Sequence, residues 1–130
     1  MQNPTVFPGL NYDDARAAID FLVKAFGAER HAVHADDDGS IQHAELRFRN
    51  GIVMLGPASG KFPATRGKGG SIYVVVDDPD SHHARARDAG AEIIRELGNT
   101  DYGSREYGAK DPEGNSWYFG TYQPFPDAQK

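Results

Sequence analysis

Ala15, Ala18, Ile19, Leu22 and Phe26 recur at the spacing of one helical face, with Arg16, Asp20 and Lys24 on the other. Asp13 or Asp14 offers a side-chain oxygen to cap that helix, and Gly27 supplies the residue that tolerates a left-handed end. A second helix is predicted from Asp78, which caps it, through Pro79 at its first position, to about Ala89, with Gly90 as its stop. Short apolar and alternating runs around these helices predict strands over residues 6–12, 28–35, 41–48 and 52–55, and again over 71–76, 91–96, 104–110 and 116–122. Asn50-Gly51 is the strongest hairpin signal, and Asp111-Pro112-Glu113-Gly114-Asn115 is a further turn. The tail over 123–130 holds two prolines and is expected to be extended or frayed.

The two helices belong to a duplication. Asp13-Asp14 leads to Gly27-Ala28-Glu29, and Asp77-Asp78 leads to Gly90-Ala91-Glu92. Gly51 then follows Gly27 at the interval by which Gly114 follows Gly90, and each late glycine precedes a short apolar run. Residues 4–58 and 69–125 therefore read as two copies of one unit, joined by a Gly-, Pro- and Lys-rich linker over 59–68, within a single domain spanning 1–130. Two copies are too few for a solenoid, so they must bury their faces against each other or against another chain.

Composition narrows the function classes. The 130 residues contain no cysteine, which excludes thiol catalysis, disulfides and thiolate metal sites. Hydrophobic residues make up 38% and aromatic ones 11%, enough for a core. A net charge of −5 disfavours nucleic-acid phosphates as a partner. No apolar run reaches the ~18 residues of a membrane span. The first residues lack the basic start and apolar stretch of a signal peptide, so the expected location is cytoplasmic. Lys61, Arg66 and Lys68 among glycines do not have Walker spacing, and Asp36-Asp37-Asp38-Gly39 lacks the further ligands of a calcium loop.

The order strand, helix, strand, strand, strand, twice over, resembles the βαβββ repeat of the vicinal-oxygen-chelate superfamily. Three stretches carry the resemblance. Residues 102–115, ending in Asp111-Pro112-Glu113-Gly114-Asn115, are similar to the Asp-Pro-x-Gly-Asn turn and preceding strand of glyoxalase, bleomycin-resistance and dioxygenase relatives. Residues 14–21 resemble that superfamily's first helix. His43-Ala44-Glu45-Leu46-Arg47-Phe48 followed by Asn50-Gly51 resembles the subgroup called PhnB-like. The resemblance implies an α+β fold of duplicated βαβββ modules forming a curved mixed sheet around a cleft. It also implies a small-molecule ligand and a homodimer.

In metal-using members of that superfamily, ligands lie early in the first strand and late in the last strand of each unit. Here those slots fall at Phe7, Leu55, Ser71 and Tyr118, none of them His, Asp or Glu. Phe and Leu cannot bind a divalent ion, and Ser and Tyr do so rarely. The expectation is therefore no metal, no cofactor and no catalytic residue. His43 and Glu45, two apart on a strand, share a face and offer either two ligands or a base and its partner. His31 and His34, three apart, are expected on opposite faces, and His82 and His83 on the helix surface. Trp117 and Phe119 are expected in the core. Tyr73, Tyr107 and Tyr118 are expected in the cleft, where a ring packs flat groups while its hydroxyl finds water or ligand.

The first functional reading is a metal-free protein that binds and sequesters a planar toxic compound, with Phe7, His43, Glu45, Leu55, Ser71, Tyr73, Tyr107 and Tyr118 lining the cleft. The second is a metal-dependent lyase, isomerase or dioxygenase with an atypical site around His43 and Glu45. The third is an interaction domain without a ligand.

Overall fold

A computed structural model describes residues 3–125. The part of the tail beyond residue 125 lies outside the described residues. Ten elements follow in order: β1 (Gly9–Tyr12), α1 (Ala15–Phe26), β2 (Glu29–Ala35), β3 (Ile41–Phe48), β4 (Gly51–Pro57), β5 (Ser71–Val75), α2 (Pro79–Asp88), β6 (Glu92–Asn99), β7 (Arg105–Lys110) and β8 (Ser116–Gly120). They form two four-stranded mixed sheets of identical order, β1-β4-β3-β2 and β5-β8-β7-β6. In each, the first strand lies parallel to the last and the other pairs are antiparallel. This is the duplicated βαβββ architecture.

The helices form where their caps place them. Asp14 accepts from the Ala17 amide at 3.0 Å, and Gly27 closes α1 at φ +79 with its N–H on the Leu22 carbonyl. Asp78 accepts from the Ser81 amide at 3.2 Å, with Pro79 behind it, and Gly90 follows α2 at φ +93. The apolar stripe of α1 is fully used: Ala15, Ala18, Ile19, Leu22, Ala25 and Phe26 are all buried. α2 buries only Pro79 and Ala86 to the same degree.

Both helices cover one side of the sheets, and a single core fills the space between. Phe26 of α1 meets Trp117 and Phe119 of β8 at ring distances of 5.6 and 4.8 Å. Phe48 of β3 meets Trp117 at 5.4 Å. The modules are thus joined by aromatic packing, in which large rings contribute more buried area than any other side chain.

A buried carboxylate makes the second joint. Asp111 Oδ2 accepts from the Tyr12 hydroxyl at 2.6 Å, Trp117 Nε1 at 3.1 Å and Asn115 Nδ2 at 3.1 Å, while Oδ1 accepts from the Glu113 and Asn115 amides at 3.0 Å. Burial, reinforced by the Asp111 charge, pushes the Tyr12 hydroxyl far above its ordinary value, so it stays a neutral donor. Glu113 of the same turn reaches the start of α1 and accepts from the Asp13 and Asp14 amides at 2.8 Å each. A carboxylate there satisfies free amides and sits at the positive end of the helix dipole.

Two expected boundaries shift. The strand expected over 6–12 pairs only from Gly9, because Pro8 has no N–H to donate, although its carbonyl accepts from the Met54 amide at 2.9 Å. The first hairpin turns on Arg49 and Asn50, not on Asn50-Gly51: Phe48 pairs with Gly51, and Arg49 takes the left-handed φ of +59.

Candidate functional site

Each sheet has one face under the helices and one open face, and the alternation of side chains decides what is on each. On β3, Ala44, Leu46 and Phe48 are buried, so His43, Glu45 and Arg47 point outward. On β4, Val53 and Leu55 are buried, and Ile52 and Met54 point outward. On β8, Trp117 and Phe119 are buried and Tyr118 points outward. On β7, Tyr107 and Ala109 join the core, so Glu106 and Gly108 share the open face with Tyr118.

The open face of the first sheet holds a cavity of about 510 Å³, lined by Phe7, His31, Glu45, Arg47, Ile52 and Met54 among others. His43 flanks it, its Nε2 donating to Glu45 Oε2 at 3.0 Å. That hydrogen bond, with the nearby charges of His43, His31 and His34, holds the Glu45 carboxyl below its usual range. His31 and His34 were expected on opposite faces. A β-bulge between Arg30 and Ala32 adds a residue to the strand and brings His31 to the open side. His34 pairs with His43 across the strands, their rings stacked at 6.1 Å.

The open face of the second sheet holds a separate cavity of about 600 Å³, lined by Tyr73, Arg95, Tyr102, Glu106, Tyr118 and Tyr122. Tyr73 and Tyr118 are direct partners in the parallel β5–β8 pair. Two glycines make the floor. A Cβ at Gly108 would lie 2.6 Å from the Tyr118 ring, and one at Gly120 would lie 2.4 Å from Glu106 Cγ and 2.8 Å from the Tyr73 hydroxyl. The Tyr118 ring therefore rests on Gly108, while Glu106 and Tyr73 meet over Gly120. The Tyr73 hydroxyl donates to the Tyr122 carbonyl at 2.9 Å and is pushed above its ordinary value, mainly by burial.

The residues expected in one cleft are thus not brought together. Phe7 and Glu45, with His43 beside them, lie on the first face, and Tyr73 and Tyr118 on the second. Ser71 is exposed and lines neither cavity. Leu55, 1% exposed, and Tyr107, fully buried, belong to the core, which corrects their placement in the cleft. The physical cause is register. In the parallel pairs, Gly9 faces Met54 and Tyr73 faces Tyr118, so Met54 and not Leu55 is the counterpart of Tyr118. Tyr107 turns inward and its hydroxyl bonds to His82 Nδ1 at 2.5 Å.

His82 is not a surface residue either. Its Nε2 donates to the Phe26 carbonyl at 2.9 Å, and its ring lies 4.3 Å from Phe119. Arg95, Tyr102 and Glu106 were not singled out by sequence reasoning. The one available signal was that Glu106 and Gly108 alternate with Tyr107 on a strand.

The residues in the superfamily's metal positions do not suit a divalent ion, with Met54 in place of Leu55 any more than with Leu55 itself. Among the described residues, no group of three or more His, Cys, Asp or Glu is disposed to hold a metal ion. No helix among them is long and apolar enough to cross a membrane.

Residues 4–119 match the sequence model of the Glyoxalase/Bleomycin resistance protein/Dioxygenase superfamily. An uncharacterized protein of Mycobacterium bovis is 36% identical over 125 residues, covering 90% of this chain and 82% of the relative. Among solved structures, TioX from Micromonospora sp. ML1 is 33% identical with a TM-score of 0.76, covering 90% of this chain and 94% of that one. TnmS3, an antibiotic binding protein from Streptomyces sp. CB03234, has a TM-score of 0.67 at 19% identity, covering 92% and 97%.

Proposed function

The chain belongs to the Glyoxalase/Bleomycin resistance protein/Dioxygenase superfamily, and from that premise we propose that it binds a flat, partly aromatic small molecule without a metal, in the manner of a sequestering protein. The observation that supports this reading most is the tyrosine-lined cavity of the second sheet, with the Tyr118 ring set against Gly108. Rings held in place by the backbone beneath them offer stacking area at little cost in conformational entropy. The antibiotic-binding protein of the same fold supports it by analogy. The finer placement in the PhnB-like subgroup rests on residues 43–48 with Asn50-Gly51.

The ligand is held between two copies of the chain. Phe7, Tyr73, Tyr102 and Tyr122 are between 37% and 58% exposed on the open faces, apolar surface that a partner would cover. In the proposed homodimer, the first-sheet face of one protomer closes over the second-sheet face of its partner. Light scattering at tens of micromolar, roughly where a standard-size interface holds, should give twice the chain mass. A monomer under those conditions would remove this arrangement.

Binding itself is tested by a thermal-shift screen of flat aromatic antibiotics, each with and without added Zn, Ni, Mn or Fe. A ligand specific to the folded state raises the melting temperature by mass action. The expected result is a shift with aromatic compounds that metals do not change. A shift that requires metal, together with metal retained after dialysis and lost in His43→Ala, would move the assignment to an enzyme built around His43 and Glu45.

A further inference from the structure

We propose that the second-sheet cavity selects an organic cation, with Glu106 as its counter-ion inside a wall of tyrosines. The proposal rests on the ligand-binding reading above and specifies the charge of the ligand.

Glu106 is a carboxylate on the open face of a sheet, where solvation is the ordinary outcome. Instead its side chain is only 5% exposed. It sits opposite Gly120 in the β7–β8 register, and the missing side chain there makes the room it occupies. Its Oε1 accepts both available donors, Arg95 Nη1 at 3.0 Å and the Tyr102 hydroxyl at 2.8 Å. No hydrogen bond reaches Oε2 among the described residues. That oxygen is not sealed off, so a donor or cation entering the cavity can reach it and complete the shell of a side chain otherwise held largely out of water.

The surroundings say what that is. Tyr73, Tyr102, Tyr118 and Tyr122 line the same cavity, and Tyr102 and Tyr122 stand edge to face at 6.0 Å. Aromatic faces carry negative potential and attract ammonium groups, most strongly where water is excluded. Arg95 is half-exposed at the rim, where water screens its charge, whereas Glu106 lies inside the tyrosine wall with Oε2 left free by the pairing through Oε1. A carboxylate oxygen without a donor, walled by rings, therefore fits an alkylammonium or amine attached to a flat group.

The test holds the ring constant and varies the charge. Naphthylmethyl-trimethylammonium, naphthylmethanol and naphthoate are titrated into the full chain by calorimetry. The expected order is the cation tightest, about tenfold or more over the neutral alcohol, with naphthoate weakest. Glu106→Gln, nearly the same shape, should remove most of the cation's advantage over the alcohol. The wild-type order is read without any variant, so a Glu106→Gln chain that fails to fold does not blunt the test. Equal binding of cation and alcohol would overturn the inference while leaving the flat-ligand reading standing. A preference for naphthoate would overturn it in favour of Arg95 as the anchor. Failure of all three to bind would remove both readings.

Discussion

The two sheets share one strand order and one bulge position, yet their open faces are chemically opposite. The first presents histidines, Glu45, Arg47 and a methionine. The second presents four tyrosines, a buried carboxylate and two glycines. Where the first sheet sets Glu45 opposite Met54, the second sets Gly108 opposite Tyr118. A duplicated scaffold fixes where side chains point but not what they are. The first face is wet and titratable, and the second is aromatic and shaped by missing side chains. The difference is the reason the proposed ligand stacks on the second face, with the first closing over it in the proposed dimer.

The largest test concerns the turns that end the two hairpins. In the first module the turn is two residues, Arg49 and Asn50, and carries no buried polar group. In the second, Asp111 is 4% exposed and collects Tyr12, Trp117, Asn115 and two amides. Asp111→Ala orphans those donors, each at ~1–3 kcal/mol and less than additively. A loss of roughly 3–5 kcal/mol is expected, a large part of a typical domain's stability. Asn50→Ala should stay within ~0.5 kcal/mol. Urea midpoints measure both, and equal effects would mean that the modules are not joined through Asp111.

The glycine floors come next. Gly120 and Gly56 each lie on the last strand of their sheet. A Cβ at Gly120 would overlap Glu106 and Tyr73, whereas one at Gly56 would meet only Asn11 Oδ1, at 3.4 Å. Gly120→Ala should cost ~1–3 kcal/mol by overpacking and abolish ligand binding. Gly56→Ala should be close to neutral on both counts. Binding that survives Gly120→Ala would place the ligand on the first face.

The helices were largely legible because their signals are local. Asp14, Gly27, Asp78 and Pro79 act within a turn of where they stand. The faces of the strands were less legible because a one-residue slip inverts them. Matching Gly51 to Gly114 placed Leu55 with Tyr118. The structure instead uses Gly51 as the first residue of β4 and Gly114 inside a longer turn, with φ +86. The second module carries its extra residue there, and Met54 takes the outward position. His31 was misread for the same kind of reason: a bulge is invisible to a count of alternation. Glu106 was missed because its burial depends on Gly120, Arg95 and Tyr102, which only the sheet brings together.

A pH titration tests the helix side of the sheets. On the helix side, His82 stands four residues past its capping Asp78, where α1 has Ala18 past Asp14. Burial, with Arg85 nearby, lowers its pKa despite the hydrogen bond to the Phe26 carbonyl. The unfolded chain then binds the proton more readily than the folded one. The contribution of His82 is full above the unfolded value of about 6.5 and is lost as pH falls through the folded value. Melting temperature should decline from pH 7 to pH 5, and His82→Gln should flatten that decline. An unchanged decline in His82→Gln would mean that this helix joint does not govern acid stability.

The smallest effect is the most direct comparison of the faces. Tyr118 and Phe7 are each aromatic, one on each open face, and each falls at a position that the resemblance to metal-using relatives would give to a ligand. Tyr118 is fixed by Gly108 beneath it, whereas Phe7 precedes β1 and is 39% exposed. A stacked ring is worth about 0.5–1.5 kcal/mol beyond its burial. Tyr118→Ala should therefore keep the fold and weaken a flat ligand by roughly three- to tenfold. Phe7→Ala should weaken it less, because a ring that must first be ordered returns part of its contact energy as entropy. Tyr118→Glu should not gain metal affinity, since Phe7, Met54 and Ser71 give a new carboxylate no partners. Side-by-side titrations of one screened ligand decide it. If Phe7→Ala weakened binding more than Tyr118→Ala with both folds intact, the first face would be the principal ligand surface and the tyrosine cavity its lid.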